Sequence, residues 1–118
     1  MSNFGEYIRQ KREELQKQAP GAYSVRRVAA TVGIEPSYLS KIERGQQAPP
    51  GEKTIKALAE TLNEDADVLL ALAGKVSDEL QEIIRKRPQV FARLIRELKD
   101  MPDQAVLRLV REVRDGNW

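Results

Sequence analysis

Apolar residues recur along this chain at spacings of three and four, which predicts a succession of one-sided helices. Over residues 4–18, Tyr7, Ile8, Arg12 and Leu15 share one side, and Phe4 is placed to pack beneath them. Pro20 and Gly21 break the pattern. Ser24 is placed to cap a second helix, Val25 to Val32, in which Val28, Ala29 and Val32 lie at helical spacing. A third helix starts near Pro36, with Glu35 as its cap, and runs through Glu43 to close at Gly45. Residues 46–50, with two consecutive prolines, read as an extended connection. A fourth helix, about Glu52 to Leu62, turns Ile55, Leu58, Ala59 and Leu62 inward and ends at Asn63. Asp65 caps a fifth, Ala66 to Ala73, which Gly74 stops.

Beyond Gly74 the pattern changes. Ser77 caps a helix from about Asp78 to Arg87, with Leu80, Ile83 and Ile84 on one face. Pro88 and Pro102 each start a further helix. The first carries Val90, Phe91, Leu94, Ile95 and Leu98, and the second Ala105, Val106, Leu109, Val110 and Val113. Both follow i, i+1, i+4, i+5, i+8, which gives a wide apolar stripe instead of a narrow seam. The β-branched residues sit at helical spacing and not in alternation, so no strand is expected. The fold class is all-α: five helices over residues 1–74, then a three-helix region over 75–118.

Within this pattern Val25 to Gly45 stands out. Val28, Ala29 and Val32 precede Gly33, and Ile34, Leu39 and Ile42 follow it. The small Ala29 lets the next helix cross closely, and Gly33 can take the positive φ of a sharp turn. The arrangement is a helix-turn-helix, a motif that sets its second helix in a DNA major groove.

Composition narrows the field. Apolar residues make up 41% of the 118 residues and charged residues 32%, enough for a core and a soluble surface. Aromatics are only 5%, so the core must be aliphatic. The longest apolar run, Val68 to Ala73, falls far short of the ~20 residues of a membrane span. The start, MSNFGEYIRQKREEL, mixes charges at helical spacing and reads as neither signal nor transit peptide. There is no Cys and no His, so disulfides, thiol catalysis and imidazole catalysis are excluded, and a zinc site would need carboxylates alone. No nucleophile–base pair or phosphate loop stands out, so no enzyme, metal or cofactor is expected. A cytoplasmic setting follows. The net charge of +2 says little, but the Lys, Arg and Glu residues from Arg9 to Lys56 leave that section at +5, whereas residues 57–74 add only Glu60, Glu64, Asp65 and Asp67. That asymmetry suits a surface with one DNA-facing side; random scatter of surface charge is the plainer alternative.

The segment VAATVGIEPSYLSKIERGQQAPPGEKTIKALAETLN resembles the Xre/Cro family of helix-turn-helix repressors. In that family an A-x-x-x-G pair marks the turn and x-x-I-E-x-G closes the recognition helix, here Ala29, Gly33, Ile42, Glu43 and Gly45; a Pro-containing loop (Pro50) and a helix like Ile55 to Leu62 come next. The resemblance implies a five-helix, lambda-repressor-like domain that binds a palindromic operator on double-stranded DNA as a homodimer, in bacteria or their phages. It also implies that Arg12 on the first helix meets Glu43 beneath the recognition helix. Two features depart from the family. Val25 stands where members often carry a phosphate-clamping Gln, and the loop from Gln18 to Tyr23 is longer. Arg26 or Arg27 is the expected substitute.

Candidate contacts follow from these positions. Ser37, Tyr38, Ser40 and Lys41 lie on the first turns of the third helix, away from Leu39 and Ile42, with Pro36 at its tip. Lys41 can donate to guanine O6 or N7, serine reads weakly, and Tyr38 can meet a thymine methyl or a sugar. Ser24, Arg26, Arg27, Arg44, Gln46, Gln47 and Lys53 are candidates for phosphates. The plainer reading of all of these is solvated surface. On the last two helices Arg93, Arg96, Lys99, Arg108, Arg111 and Arg114 interleave with acids and read as solvated faces. Their apolar partners, Val90, Phe91, Leu94, Ile95, Leu98, Val106, Leu109, Val110 and Val113, are the expected dimerisation surface, folding back on the first domain being the alternative. A second function class also fits: an antitoxin-like or adaptor protein whose C-terminal helices grip a partner protein, with DNA binding for autoregulation.

Overall fold

The computed structural model describes residues 4–116. They form eight helices and, among the described residues, no strand: α1 (Phe4–Gln18), α2 (Val25–Val32), α3 (Pro36–Glu43), α4 (Glu52–Thr61), α5 (Ala66–Leu72), α6 (Asp78–Lys86), α7 (Pro88–Leu98) and α8 (Asp103–Asp115). The chain divides between Ser77 and Asp78 into two compact units. Among the described residues no helix is long and apolar enough to cross a membrane.

In the first unit the apolar stripes close on one another. Phe4, Ile8, Val28, Ala29, Leu39, Ile42, Ile55, Leu58, Ala59, Leu62, Leu69 and Leu70 make one cluster, each at most 1% exposed. Fully burying one of the larger side chains is worth about 1.5–3 kcal/mol. α1 packs on α3, α2 on both α3 and α4, and α4 on α5. The approach of α1 to α3 depends on Gly5. A Cβ at that position would stand 2.2 Å from the carbonyl oxygen of Ile42, so only glycine admits this crossing. At the margin of the core, Tyr7 Oη donates to Glu64 Oε2 at 2.7 Å, tying α1 to the turn between α4 and α5. Lys75 Nζ donates to the carbonyl of Pro50 at 2.9 Å, which ties the end of the unit to the proline connection.

Helix ends largely follow their local chemistry. Ser24 Oγ accepts from Arg27 N at 3.1 Å and Asp65 Oδ1 from Asp67 N at 2.7 Å. Asn63 takes φ 57° where α4 stops. Glu35 holds the expected N-cap position of α3, but its side chain makes no capping bond. Pro36 at the first helical position needs none of its own, since it has no N–H. Four helices differ from expectation by one residue: α4 and α5 end at Thr61 and Leu72, with Leu62 and Ala73 as their C-caps, and α6 and α8 differ because of a proline. α6 stops at Lys86 because Arg87 precedes a proline and is driven out of the helical region, to φ −139°, ψ 61°. α8 starts at Asp103 because Pro102 is extended, at ψ 155°, and serves as N-cap.

The second unit consists of α6, α7 and α8, and no residue of these helices is buried. α6 packs on α7. Between α7 and α8 an apolar groove of about 350 Å³ is lined by Leu94, Leu98, Val106, Leu109, Val110 and Val113, with Arg114 at its edge.

Candidate nucleic-acid interface

The candidate interface is built on the crossing of α2 and α3. Gly33 ends α2 at φ 87°, and the N–H groups of Gly33 and Ile34 both donate to Ala29 O, at 2.8 and 2.9 Å. The turn therefore hangs from one carbonyl at the helix crossing. Ala29 is fully buried there, as a close crossing requires. Leu39 and Ile42 anchor the inner face of α3 in the core. Its opposite face carries Pro36, Ser37 and Lys41, all exposed. Ser37 and Lys41 are four apart and so form one outward row, which Arg44 continues three residues on.

Tyr38 and Ser40 differ from that outward set. Both are half-buried, and Tyr38 packs against the core cluster instead of standing clear of it. The cause is local. Tyr38 lies four residues before Ile42, on the flank that leans inward.

Beneath α3 sits a buried ion pair. Arg12 Nε donates to Glu43 Oε2 at 2.7 Å and Arg12 Nη2 to Glu43 Oε1 at 2.9 Å, a two-point fork between planar groups. Arg12 Nη1 also donates to Tyr23 O at 3.1 Å and to Gln16 Oε1 at 3.4 Å. Both side chains are under a tenth exposed. Hydrogen bonding to Glu43 raises the Arg12 pKa above its ordinary value, so the guanidinium stays charged at every accessible pH. With its donors engaged on α3, on α1 itself and on the loop before α2, Arg12 fixes the rotation of α3 relative to α1.

The loop after α3 is equally determined. Arg44 Nε donates back to Ser40 O at 3.3 Å. Gly45 turns the chain at φ 75°, and Gln46 N and Gln47 N both donate to Lys41 O, at 2.8 and 3.3 Å. Arg44, Gln46 and Gln47 are exposed on this loop, as is Lys53 in the first turn of α4. At the start of α2, Arg26 and Arg27 are exposed, while Ser24 is half-buried with its oxygen engaged as the cap. Val25 is half-buried and packs against the core, so it offers this flank no donor.

One residue absent from the sequence-based set borders the same region. Arg9 on α1 lines a cleft of about 180 Å³ together with Val25, Ser40 and Arg44. Its only signal in the sequence is its place on α1 three residues before Arg12, which brings it alongside α3. Among the described residues no group of His, Cys, Asp or Glu side chains gathers as a metal site.

The geometry agrees with what comparison with known proteins finds. A family model described as a helix-turn-helix domain matches residues 3–72. Over 78 residues the chain is 33% identical to the HTH-type transcriptional repressor RghR of Bacillus subtilis (strain 168). The aligned stretch covers 66% of this chain and 53% of that protein, so the chain spans about half the length of the relative. No solved structure matches the chain.

Proposed function

The chain belongs to the helix-turn-helix domain family, as an Xre-like regulator, and from that premise we propose that it is a sequence-specific transcriptional repressor which binds a palindromic operator as a homodimer. The observation that carries this reading is the outward row of α3, held from below. Pro36, Ser37 and Lys41 stand exposed on a helix whose inner face is anchored by Leu39, Ile42 and the Arg12–Glu43 fork. In this proposal Ser37 and Lys41 read base edges, Pro36 makes apolar contact at the tip, and Tyr38 and Ser40 contribute from the flank. Ser24, Arg26, Arg27, Arg44, Gln46, Gln47 and Lys53 serve the phosphates.

One short helix makes few base contacts, so discrimination calls for a second copy. The helices beyond residue 74 supply the apolar surface for it, from Val90, Phe91, Leu94, Ile95, Leu98, Val106, Leu109, Val110 and Val113. Pairing through these residues sets two recognition helices about one DNA turn apart, ~34 Å. The relative is a repressor by name, which supports the direction of control.

Lys41→Ala tests the reader. Binding to the duplex upstream of the protein's own coding sequence is measured against a scrambled duplex, across salt. The wild type should prefer its own site with a steep salt slope. The variant should lose about 1–3 kcal/mol of that preference, the cost of a missing base contact. Undiminished preference in the variant removes Lys41 from the reading set.

A further inference from the structure

Of the side chains that line the cleft beside α3, Ser40 and Arg44 have a part in the scheme above, whereas Arg9, Glu13 and Val25 have none. Its floor is neutralised, because the Arg12–Glu43 pair that also borders it is closed on itself by two hydrogen bonds. The rim is different. Arg44 spends only its Nε, on the carbonyl of Ser40. Arg9 spends only its Nε, on Glu13 Oε2 at 3.2 Å, in a solvent-exposed pair four residues apart on one helix. The Nη groups of both arginines have no hydrogen-bond partner among the described residues. Two guanidinium groups, from α1 and from the end of α3, thus border one notch with four N–H-bearing ends unspent. The flank between them, Val25, is apolar and supplies no competing donor.

The notch sits at the edge of the recognition helix. Arg44 continues the row of Ser37 and Lys41, and Ser40 lies on the side of α3 toward α1. When a helix lies in a major groove, its edges face the sugar-phosphate strands that wall the groove, and the preceding helices cross one of them. We propose that Arg9 and Arg44 together form a seat for one DNA backbone phosphate on the α1 side of the recognition helix. This rests on the DNA-binding reading above and adds to it a residue outside the helix-turn-helix. A backbone phosphodiester offers two non-bridging oxygens, and planar guanidinium forks match them with paired N–H donors. Arg9 reaches the phosphate by exchanging its exposed Glu13 partner, a surface pair that holds it weakly. Glu13 therefore competes with the phosphate for Arg9.

The test uses the full-length chain with Arg9→Gln, Arg44→Gln, the double variant, Glu13→Gln, and Lys17→Gln as a charge-matched change elsewhere on α1. Affinity for the upstream duplex and for a scrambled duplex is measured at several salt concentrations, with thermal melting as a fold check. Arg9→Gln should weaken both duplexes several-fold and by the same factor, since a phosphate carries no sequence information. The double variant should lower the salt slope by about 0.9, the value for one phosphate, and Glu13→Gln should tighten binding. Lys17→Gln should change neither quantity appreciably. The seat is overturned if Arg9→Gln binds like the wild type, if Lys17→Gln matches it, or if the double variant loses about 1.8 in slope, the mark of two separate phosphates. A wild type that binds no DNA at any salt overturns the DNA-binding reading itself, and the seat with it.

Discussion

In the first unit α4 turns Ile55, Leu58, Ala59 and Leu62 inward, and none exceeds 1% exposure; in the second unit α7 carries as regular a stripe, yet Val90, Leu94 and Ile95 stand 66%, 41% and 50% exposed. The helices are written in the same way, and their fates differ. Five stripes in the first unit face one another around Ile42, Leu58 and Leu69 and exclude water together. Three stripes in the second leave a groove between α7 and α8, with Val113 at its edge 60% exposed. Helical periodicity states that a face is to be covered, and number and order of helices decide whether the chain covers it alone. The first unit completes its own core and the second does not, a contrast that the proposed homodimer would account for. That contrast can be attacked from either side.

The largest effect should come from breaking the first unit at its buried pair. Arg12→Ala leaves the Glu43 carboxylate under α3 without its fork, and uncompensated burial of a charge costs about 3–5 kcal/mol. The loss should appear in urea unfolding followed by circular dichroism. It should also be local. Amide exchange should quicken through α1 to α5, while the amides of α7 and α8, which share no core residue with them, keep their wild-type rates. Equal acceleration in both units would make the chain one cooperative body and remove the contrast.

The opposite attack leaves the first unit intact. Leu98→Glu puts a carboxylate at the groove between α7 and α8. In the proposed homodimer this reduces the mass seen by light scattering to that of one chain, with melting of the first unit unchanged. Affinity for a two-half-site operator should fall about 100-fold or more, because the second half-site no longer binds intramolecularly. A variant that scatters as the wild type removes this groove as the pairing surface.

Much of this architecture was readable in the sequence where the cause is local. Gly33 announces its left-handed turn, Ser24 and Asp65 their caps, Pro36 and Pro88 their helix starts, because each acts within four residues of itself. The Arg12–Glu43 fork is not local: the two residues are 31 apart, and only the family resemblance suggested it. Gly5 carried no sequence signal, since its reason is the carbonyl of Ile42 across a helix crossing. The same holds for Arg9, whose place beside Arg44 depends on how α1 is rotated against α3. Tyr38 stands less clear of the core than its spacing implies, for a subtler reason. On a helix of two turns, periodicity separates inner from outer positions but grades the flanks poorly, and the i+4 partner Ile42 draws that flank inward.

The smallest effect sharpens the account of the first unit at its rim. Tyr7 Oη donates to Glu64 Oε2, and that bond, with burial and the Glu64 charge adding to it, raises the Tyr7 pKa above its ordinary value. Only the protonated phenol can donate, so the folded state holds this proton more tightly than the unfolded chain. The bond's stabilisation is therefore complete below pH ~10, the pKa of an unfolded tyrosine, and is lost as pH rises through the higher folded value. Tyr7→Phe should cost about 1 kcal/mol at neutral pH, because the pair is only half-buried. Measured from pH 9 upward, the stability of the wild type should fall more steeply than that of Tyr7→Phe, and the two curves should converge at the alkaline end. Glu64→Gln should flatten the wild-type curve in the same window, since a neutral amide no longer favours the protonated phenol. Parallel curves for wild type and Tyr7→Phe would mean that the bond joining α1 to the α4–α5 turn adds nothing to the closure of the first unit, leaving the shared core and the Arg12–Glu43 fork as what sets it apart from the second.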